Sequence, residues 1–385
     1  MKKKELQAVI GLCIVLSLRV LGVFMILPVL STYGLFLEHG NKFLVGLAIG
    51  VYGITQLLFQ IPFGFFSDKI GRKSVILFGL ILFSLGSLVS AITHSIWGLI
   101  VGRALQGSGA ISATCMAFVS DLVEELHLTK VMALIGITYG LTFALSIIVG
   151  PMIISIFNFN ALFWITCFLS FLAILITYFF IPNIRILSND FNIHSFKDSI
   201  ISIINNHDLM KLYFGIFILH ILLMFNFILL PIQLEFLKFT LENYWKLYLI
   251  IMFISFLFVM VFFLSSIIKS WTIPILLISN ILLILSELIC YHFISSFYIF
   301  LFGIQIFFIA FNILESLIPS LVGKKSSFKY KGTAMGTYST AQFLGISFGG
   351  ILGGWIFSVF NVLGLLICGL IISILWFLVS CRIKN

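Results

Sequence analysis

Apolar residues do not alternate with polar ones along this chain. They run on in long continuous stretches, separated by short polar breaks. A helix needs roughly 20 such residues to cross the hydrocarbon of a bilayer. With that window the pattern predicts helices over 6–36, 43–66, 74–94, 97–120, 131–157, 160–181, 211–237, 245–268, 272–292, 296–320, 333–360 and 362–381. The expected fold class is therefore an all-α membrane protein with twelve transmembrane helices. The first and eleventh spans are long enough to tilt or to extend past the membrane. A β-barrel would show period-two alternation instead. One polar stretch is sizeable, 182–210. It separates a six-helix bundle over 1–181 from a second over 211–385, and is itself the linker.

Composition supports this reading. Of 385 residues, 61% are hydrophobic and 9% charged, and the mean hydropathy is +1.23. A soluble domain is about half apolar and a quarter charged, so a water-soluble enzyme is excluded. A disordered chain needs low hydrophobicity and is excluded too. The net charge is +9. With both termini in the cytoplasm, 17 of the 22 Lys and Arg fall on the cytoplasmic side, including Lys2, Lys3, Lys4, Lys69, Arg72, Lys73, Lys324 and Lys325. Lys42, Lys238 and Lys246 fall outside, and Arg19 and Arg103 lie within spans. This is the positive-inside pattern, and it needs no nucleic-acid partner. The N-terminal apolar run is far longer than a signal-peptide core, so it reads as an uncleaved first helix. Six scattered cysteines show no ligand spacing; they read as small buried side chains. No metal site is expected.

The halves echo each other weakly. Lys130-x-x-Ala133 opens span five and Lys331-x-x-Ala334 opens span eleven, and both spans are then rich in glycine. Gly345, Gly349 and Gly353, four residues apart, clear one helix face for close packing.

The most specific signal follows span two: Gly64-Phe65-Phe66-Ser67-Asp68-Lys69-Ile70-Gly71-Arg72-Lys73. It resembles the major facilitator signature Gly-x-x-x-Asp-Arg-x-Gly-Arg-Arg/Lys. Gly64 is expected to allow a close approach and Gly71 a tight turn. Asp68 and Arg72 are expected to bond across helix ends, with Asp121 as the acidic partner. Lys69 stands where arginine is usual, which keeps charge and loses the bidentate fork. Gly102-Arg103-Ala104-Leu105-Gln106-Gly107 resembles the Arg-x-x-Gln-Gly signature of span four. Gly140 and Gly150-Pro151 resemble, more loosely, the antiporter motif. Ser17-Leu18-Arg19, Pro28 to Gly34, Gln60 to Gly64 and Lys331 to Thr340 closely resemble YajR-type transporters of enteric bacteria. That resemblance covers nearly the whole chain. It implies the major facilitator fold, a proton-driven, drug-efflux-like activity and an inner-membrane location. It implies no cofactor beyond the proton gradient, a small-molecule substrate with protons as partners, and a monomer. Those proteins also carry a small cytoplasmic domain after span twelve; with the last residue at Asn385, that domain is expected to be absent.

Ionisable groups within hydrocarbon are expensive and mark function. Arg19, Arg103, Glu287 and Glu315 are such groups, and His220 is a fifth. Arg19 in span one is read two ways: it binds an anionic group or carboxylate, or it bonds neutral groups to fix the bundle. Arg103 and Gln106, three residues apart, share a face to which Thr114 returns. The resemblance implies that Arg103 influences coupling to the proton; the alternative is a structural hydrogen-bond hub. Gln305, Asn312 and Glu315 are expected on one polar stripe of span ten, with Glu315 as the candidate proton carrier. Glu287 is expected to be structural and peripheral, and His220 a hydrogen-bonded core residue. Asn226 and Gln233 are candidates to line the cavity. No carboxylate lies within spans one to six, which weakens an antiporter reading or moves the proton site into the second half.

The expected function is secondary transport by alternating access, with proton-coupled export first and proton-coupled or facilitated nutrient import second. Asp68, Arg72 and Asp121 would latch the outward-facing state. A membrane enzyme would need HExxH, GxSxG or Gly-x-x-x-x-Gly-Lys, none of which is present.

Overall fold

The computed structural model describes residues 3–123, 125–182, 205–240, 243–265, 272–326 and 331–383. Among the described residues there is no strand; an isolated β-bridge joins Glu38 to Ser95. The chain divides into two compact units, Met1–Ser195 and Phe196–Asn385.

The first unit contains α1 (Lys3–Phe24), α2 (Leu27–Tyr33), α3 (Lys42–Ile70), α4 (Arg72–Ile92), α5 (Ile96–Ser108), α6 (Ser112–Leu122), α7 (Glu125–Ile156) and α8 (Phe159–Phe180). Their starts are written locally. Asn41, Ser95 and Asn158 each accept a hydrogen bond from a backbone N–H of the following first turn, which is what Asn and Ser do at an N-cap. Helix α1 packs on α7 and α8, α4 on α5 and α8, and α3 on α5. Val9, Leu12, Leu16, Ile76, Leu80 and Phe118 form much of the core between them.

The second unit contains α9 (His207–Phe236), α10 (Tyr244–Ser265), α11 (Thr272–His292), α12 (Phe297–Lys325) and α13 (Lys331–Ser380). Asn206 caps α9 by accepting from the N–H groups of Asp208 and Leu209. Helix α9 is buried almost along its length and receives both α12 and α13. The glycine stripe makes the second contact possible. A Cβ on Gly349 would lie 2.8 Å from Ile221 Cα, and one on Gly353 2.9 Å from Ile228 Cδ1.

The pattern predicts twelve spans, but nine helices among the described residues are long and apolar enough to cross a membrane. Three local features account for the difference. The predicted span 97–120 is broken between Ser108 and Ser112 into α5 and α6, so Thr114 does not continue the face of Arg103. The apolar part of α10, Tyr244–Met260, is short. The predicted spans 333–360 and 362–381 form the single run α13, interrupted at Asn361 by a backbone φ of 56° and ψ of −157°. The long first span is also divided, at Met25 and Ile26, with Pro28 near the start of α2. Proline is tolerated at a helix start, where no intrahelical N–H bond is lost.

The exterior is apolar. Phe78, Trp164, Phe168, Phe171, Phe253 and Met260 are each about half exposed or more. Patches of this kind are out of place in water and suit a lipid solvent.

Candidate functional site

The loop between α3 and α4 is set by Gly71, whose φ of 97° is a conformation side chains resist. A Cβ there would meet nothing within 4 Å, so the demand is on backbone alone. Gly71→Ala is therefore expected to lower stability by about 1–2 kcal/mol, read as a lower unfolding temperature. Next to it, Arg72 Nε lies 2.9 Å from Asp121 Oδ2. Arg72 Nη1 donates to Ser67 Oγ at 2.6 Å, and Ser67 Oγ donates to Gly64 O. Lys73 Nζ donates to the carbonyls of Tyr178 and Ile181 at 2.8 and 2.7 Å, a cation on the open C-terminus of α8. Lys69 Nζ sits 4.3 Å from the ring centre of Phe65. The motif thus joins the ends of α4, α6 and α8 within one unit. The side chain of Asp68 lies outside the described residues. Gly64 does not make the close approach expected of it, and neither does Gly140; a Cβ at either would meet nothing within 4 Å. Gly150 does, against the backbone carbonyl of Met25, where the first span breaks. Pro151 follows it inside α7.

Deeper in the same unit two guanidinium groups are buried, Arg19 at 4% exposure and Arg103 at 0%. Arg19 Nη1 donates to Ser112 Oγ at 3.0 Å and Nη2 to Gln56 Oε1. Its Cζ lies 5.5 Å from the centre of the Phe83 ring. Arg103 Nη1 donates to Gln106 Oε1 at 3.0 Å and Nε to Ala48 O at 3.4 Å. It lies over Tyr52, 4.7 Å from the ring centre. Gln106 passes the chain on to Ser87 Oγ at 2.9 Å. The hydrogen-bond partners shown for both cations are neutral.

Within its helices the second unit holds carboxyl groups instead, Glu287 and Glu315. Gln342 Nε2, on α13, lies 3.1 Å from Glu315 Oε1 on α12 and 2.9 Å from His220 Nε2 on α9. His220 Nδ1 lies 3.1 Å from Ile216 O. A ring N–H must occupy that contact, so Nε2 presents its lone pair and accepts from Gln342. Both amide protons of Gln342 are then used, one on histidine and one on carboxylate. Glu315 Oε2 stands 3.9 Å from His220 Nε2 with no hydrogen-bond partner. The fit needs a glycine: a Cβ on Gly345 would lie 2.8 Å from His220 Cβ.

The single polar stripe expected on α12 is divided. Gln305 donates to Ile251 O and Ser255 Oγ at 3.2 and 3.1 Å, and Asn312 donates to Phe308 O with Met252 Sδ at 3.9 Å. Both face α10, whereas Glu315 faces α9 and α13. Ten residues at 100° each leave Glu315 about 80° from Gln305, enough to change neighbours. Asn226 is 3% exposed. It donates to Leu222 O and lies beside the carboxyl of Glu287, so it belongs with Glu287 and not with Glu315. Gln233 donates to Ile294 O at 2.7 Å.

Residues 12–325 match the Major Facilitator Superfamily. The chain belongs to that family. Major facilitator proteins are transporters and not enzymes, and so is this one. It is 44% identical over 383 residues to the inner membrane transport protein YajR of Escherichia coli (strain K12), spanning 99% of this chain and 84% of that protein. It is 44% identical over 347 residues to the uncharacterized transporter BU466 of Buchnera aphidicola subsp. Acyrthosiphon pisum, spanning 90% and 89%. In fold it resembles the crystal structure of a single-residue mutant of the nucleoside transporter NupG, with a TM-score of 0.75 at 14% identity and 100% of both chains covered. At that identity the likeness shows the major facilitator fold alone.

Sequence reasoning missed Gln342, Gln56, Ser112 and the clamp at the start of α9. There Asp208 pairs with Lys325 at 2.9 Å and with Lys211 at 3.1 Å. Neutral amides were the available signal: Gln56 interrupts the apolar run of α3, and Gln342 follows the polar stretch Thr337 to Thr340 within a predicted span.

Proposed function

We propose that this transporter exports a small molecule from the cytoplasm in exchange for protons, by alternating access, from the bacterial inner membrane. Twelve spans in two six-helix bundles, 1–181 and 211–385 joined by 182–210, form the moving parts, with α5 and α6 as one broken span and α13 as two. Both termini face the cytoplasm, as the lysine and arginine bias requires. The protein works as a monomer.

The observation that carries the reading is the Glu315–Gln342–His220 cluster. It is the one place within the described spans where a carboxylate, a histidine and an amide able to reverse its ends meet. With Glu315 ionised, Gln342 donates to it. Once Glu315 is protonated it becomes a donor, and the amide must turn its oxygen toward it. That turn takes an N–H away from His220 and moves α13 relative to α9 and α12. Proton loading is thereby tied to helix position, the kind of two-state element that coupling requires. Import with protons uses the same cluster; the Gly150-Pro151 motif favours export.

The test is proton release from acid-loaded everted vesicles on adding a panel of lipophilic cations, organic anions and nutrients. Collapse of the gradient by some compound, only with intact protein, is the expected result. No response across the panel overturns proton-coupled export, and nutrient counterflow then tests import. In the same assay Arg72→Ala and Asp121→Asn, which remove the 2.9 Å pair, are expected to reduce the rate at least about tenfold, the effect of about 1.4 kcal/mol on a transition state, at unchanged membrane levels. Full rates would remove the latch role from that pair.

A further inference from the structure

The two buried arginines of the first unit hang from successive turns of the same two helices. Tyr52, beneath Arg103, and Gln56, bonded to Arg19, are four residues apart on α3. Phe83, beneath Arg19, and Ser87, bonded to Gln106, are four residues apart on α4. Residues so spaced are neighbours on one helix face, their Cβ atoms about 5–6 Å apart. The groups they touch on α3 are thus one turn apart, and both cations sit in buried surroundings where charge is poorly screened.

Among the described residues no carboxylate answers them. The carboxylates whose side chains are described in the first unit, Glu5, Glu38 and Asp121, lie at helix ends or in a loop. The structure also leaves N–H donors unmet at this place. Arg19 Nε, Gln56 Nε2 and Arg103 Nη2 are all out of contact with solvent and have no hydrogen-bond partner. The unmet side-chain oxygens of the same unit belong to Gln60, Thr32 and Thr114, and a hydroxyl serves either way. Buried polar groups are paired as a rule, and a buried cation without a counter-charge is costlier still. What is missing is negative charge with more than one acceptor.

We propose that Arg19 and Arg103, with Gln56 and Ser112, form a binding site for an oxyanion, a carboxylate or phosphate borne by the transported molecule. This rests on the transporter reading above and adds the substrate class to it. Arg19 is the contact residue, since its Nε and the adjacent Gln56 amide are both unspent. Arg103, locked by Gln106 and Tyr52, supplies field and not contact. The site is shut as the protein stands, with Arg19 at 4% exposure, and alternating access is what opens it.

The experiment is thermal unfolding of the purified full chain in detergent, titrated with benzoate and with inorganic phosphate at constant ionic strength, and with tetraphenylphosphonium as the cationic counterpart. A saturable rise of about 2 °C or more with an oxyanion is expected in the native protein and is lost in Arg19→Gln. Arg19→Lys keeps the charge without the planar fork, folds if Arg19→Gln does not, and is expected to weaken the midpoint about tenfold. An oxyanion effect equal in native protein and variants places the anion elsewhere and overturns the proposal. So does stabilisation by tetraphenylphosphonium alone, or by nothing, in protein that still collapses the proton gradient in vesicles; the transporter reading would then survive. An Arg19-dependent oxyanion shift in protein that moves no protons leaves this site standing and removes proton-coupled export.

Discussion

Gly349→Leu is expected to lower the unfolding free energy of the protein by about 3 kcal/mol, the upper part of the range for overpacking a close contact. Gly336→Leu, on the same helix, is expected to leave it within about 1 kcal/mol. The two glycines differ in what surrounds them. A Cβ on Gly349 would stand 2.8 Å from Ile221 Cα and 2.9 Å from Met224 Cβ. The first of these is backbone, which no rotamer change can move. Helix α13 must therefore part from α9, and it does so along the whole stripe, because Gly345 and Gly353 lie on the same line of contact. A Cβ on Gly336 would meet nothing within 4 Å, and leucine suits a helix better than glycine by roughly 0.5–1 kcal/mol. The measurement is the midpoint of unfolding for both variants in the same detergent. Equal losses at the two positions would mean that α13 does not rest on α9 through this face.

That stripe was legible because its signal is periodic and local. Glycines four residues apart fix a face whatever lies opposite, and Asn41, Ser95, Asn158 and Asn206 announce helix starts by chemistry reaching only three residues. The loop motif around Gly71 was legible for the same reason. What the chain could not reveal alone was which faces meet. Gln305, Asn312 and Glu315 share one side of a helical wheel, yet α10 takes the first two and α9 with α13 takes the third. Lys73 reaches Ile181 across 108 residues, and no spacing encodes such a contact; the Arg72–Asp121 pair, 49 residues apart, was expected only through the family resemblance. Breaks were hidden for a different reason. Span four is apolar throughout 109–111, so hydropathy runs on where the backbone turns aside. Two glutamines, Gln56 and Gln342, decide how Arg19 and Glu315 are held, and their positions alone do not say which groups they bond.

The charges themselves divide between the units with a consequence for mechanism. The first unit holds buried cations whose shown hydrogen-bond partners are neutral. The second holds Glu287 and Glu315, with His220 the basic group beside the latter. Removing the cations should alter what is bound, and removing Glu315 should alter what drives it.

Glu315→Gln is accordingly expected to reduce substrate-dependent proton release to the level of vesicles lacking the protein, while substrate exchange in the absence of a gradient continues. Glutamine matches the shape of the carboxyl and can still bond Gln342, so the packing of α12 on α9 and α13 is kept. What it lacks is a proton to load and release. Exchange of labelled for unlabelled substrate needs the binding site to open and close but no net proton movement, so it isolates the coupling role. Gln342→Leu is expected to impair both activities, because it strips a hydrogen bond from Glu315 and from His220 together and leaves two buried acceptors unmet, at about 1–3 kcal/mol each. His220→Gln keeps an amide acceptor opposite Gln342 and should fall between the two. Undiminished proton release from Glu315→Gln would displace the proton site from this cluster. Glu287, with Asn226 beside it and a notional Cβ on Gly369 only 3.0 Å from its carboxyl, would be the next residue to test, and its loss would be expected to cost stability before it cost coupling. The order of effects at these two glutamates, coupling first at one and folding first at the other, is what their surroundings dictate: Glu315 has an oxygen without a hydrogen-bond partner and a histidine within 3.9 Å, and Glu287 is sealed among three helices.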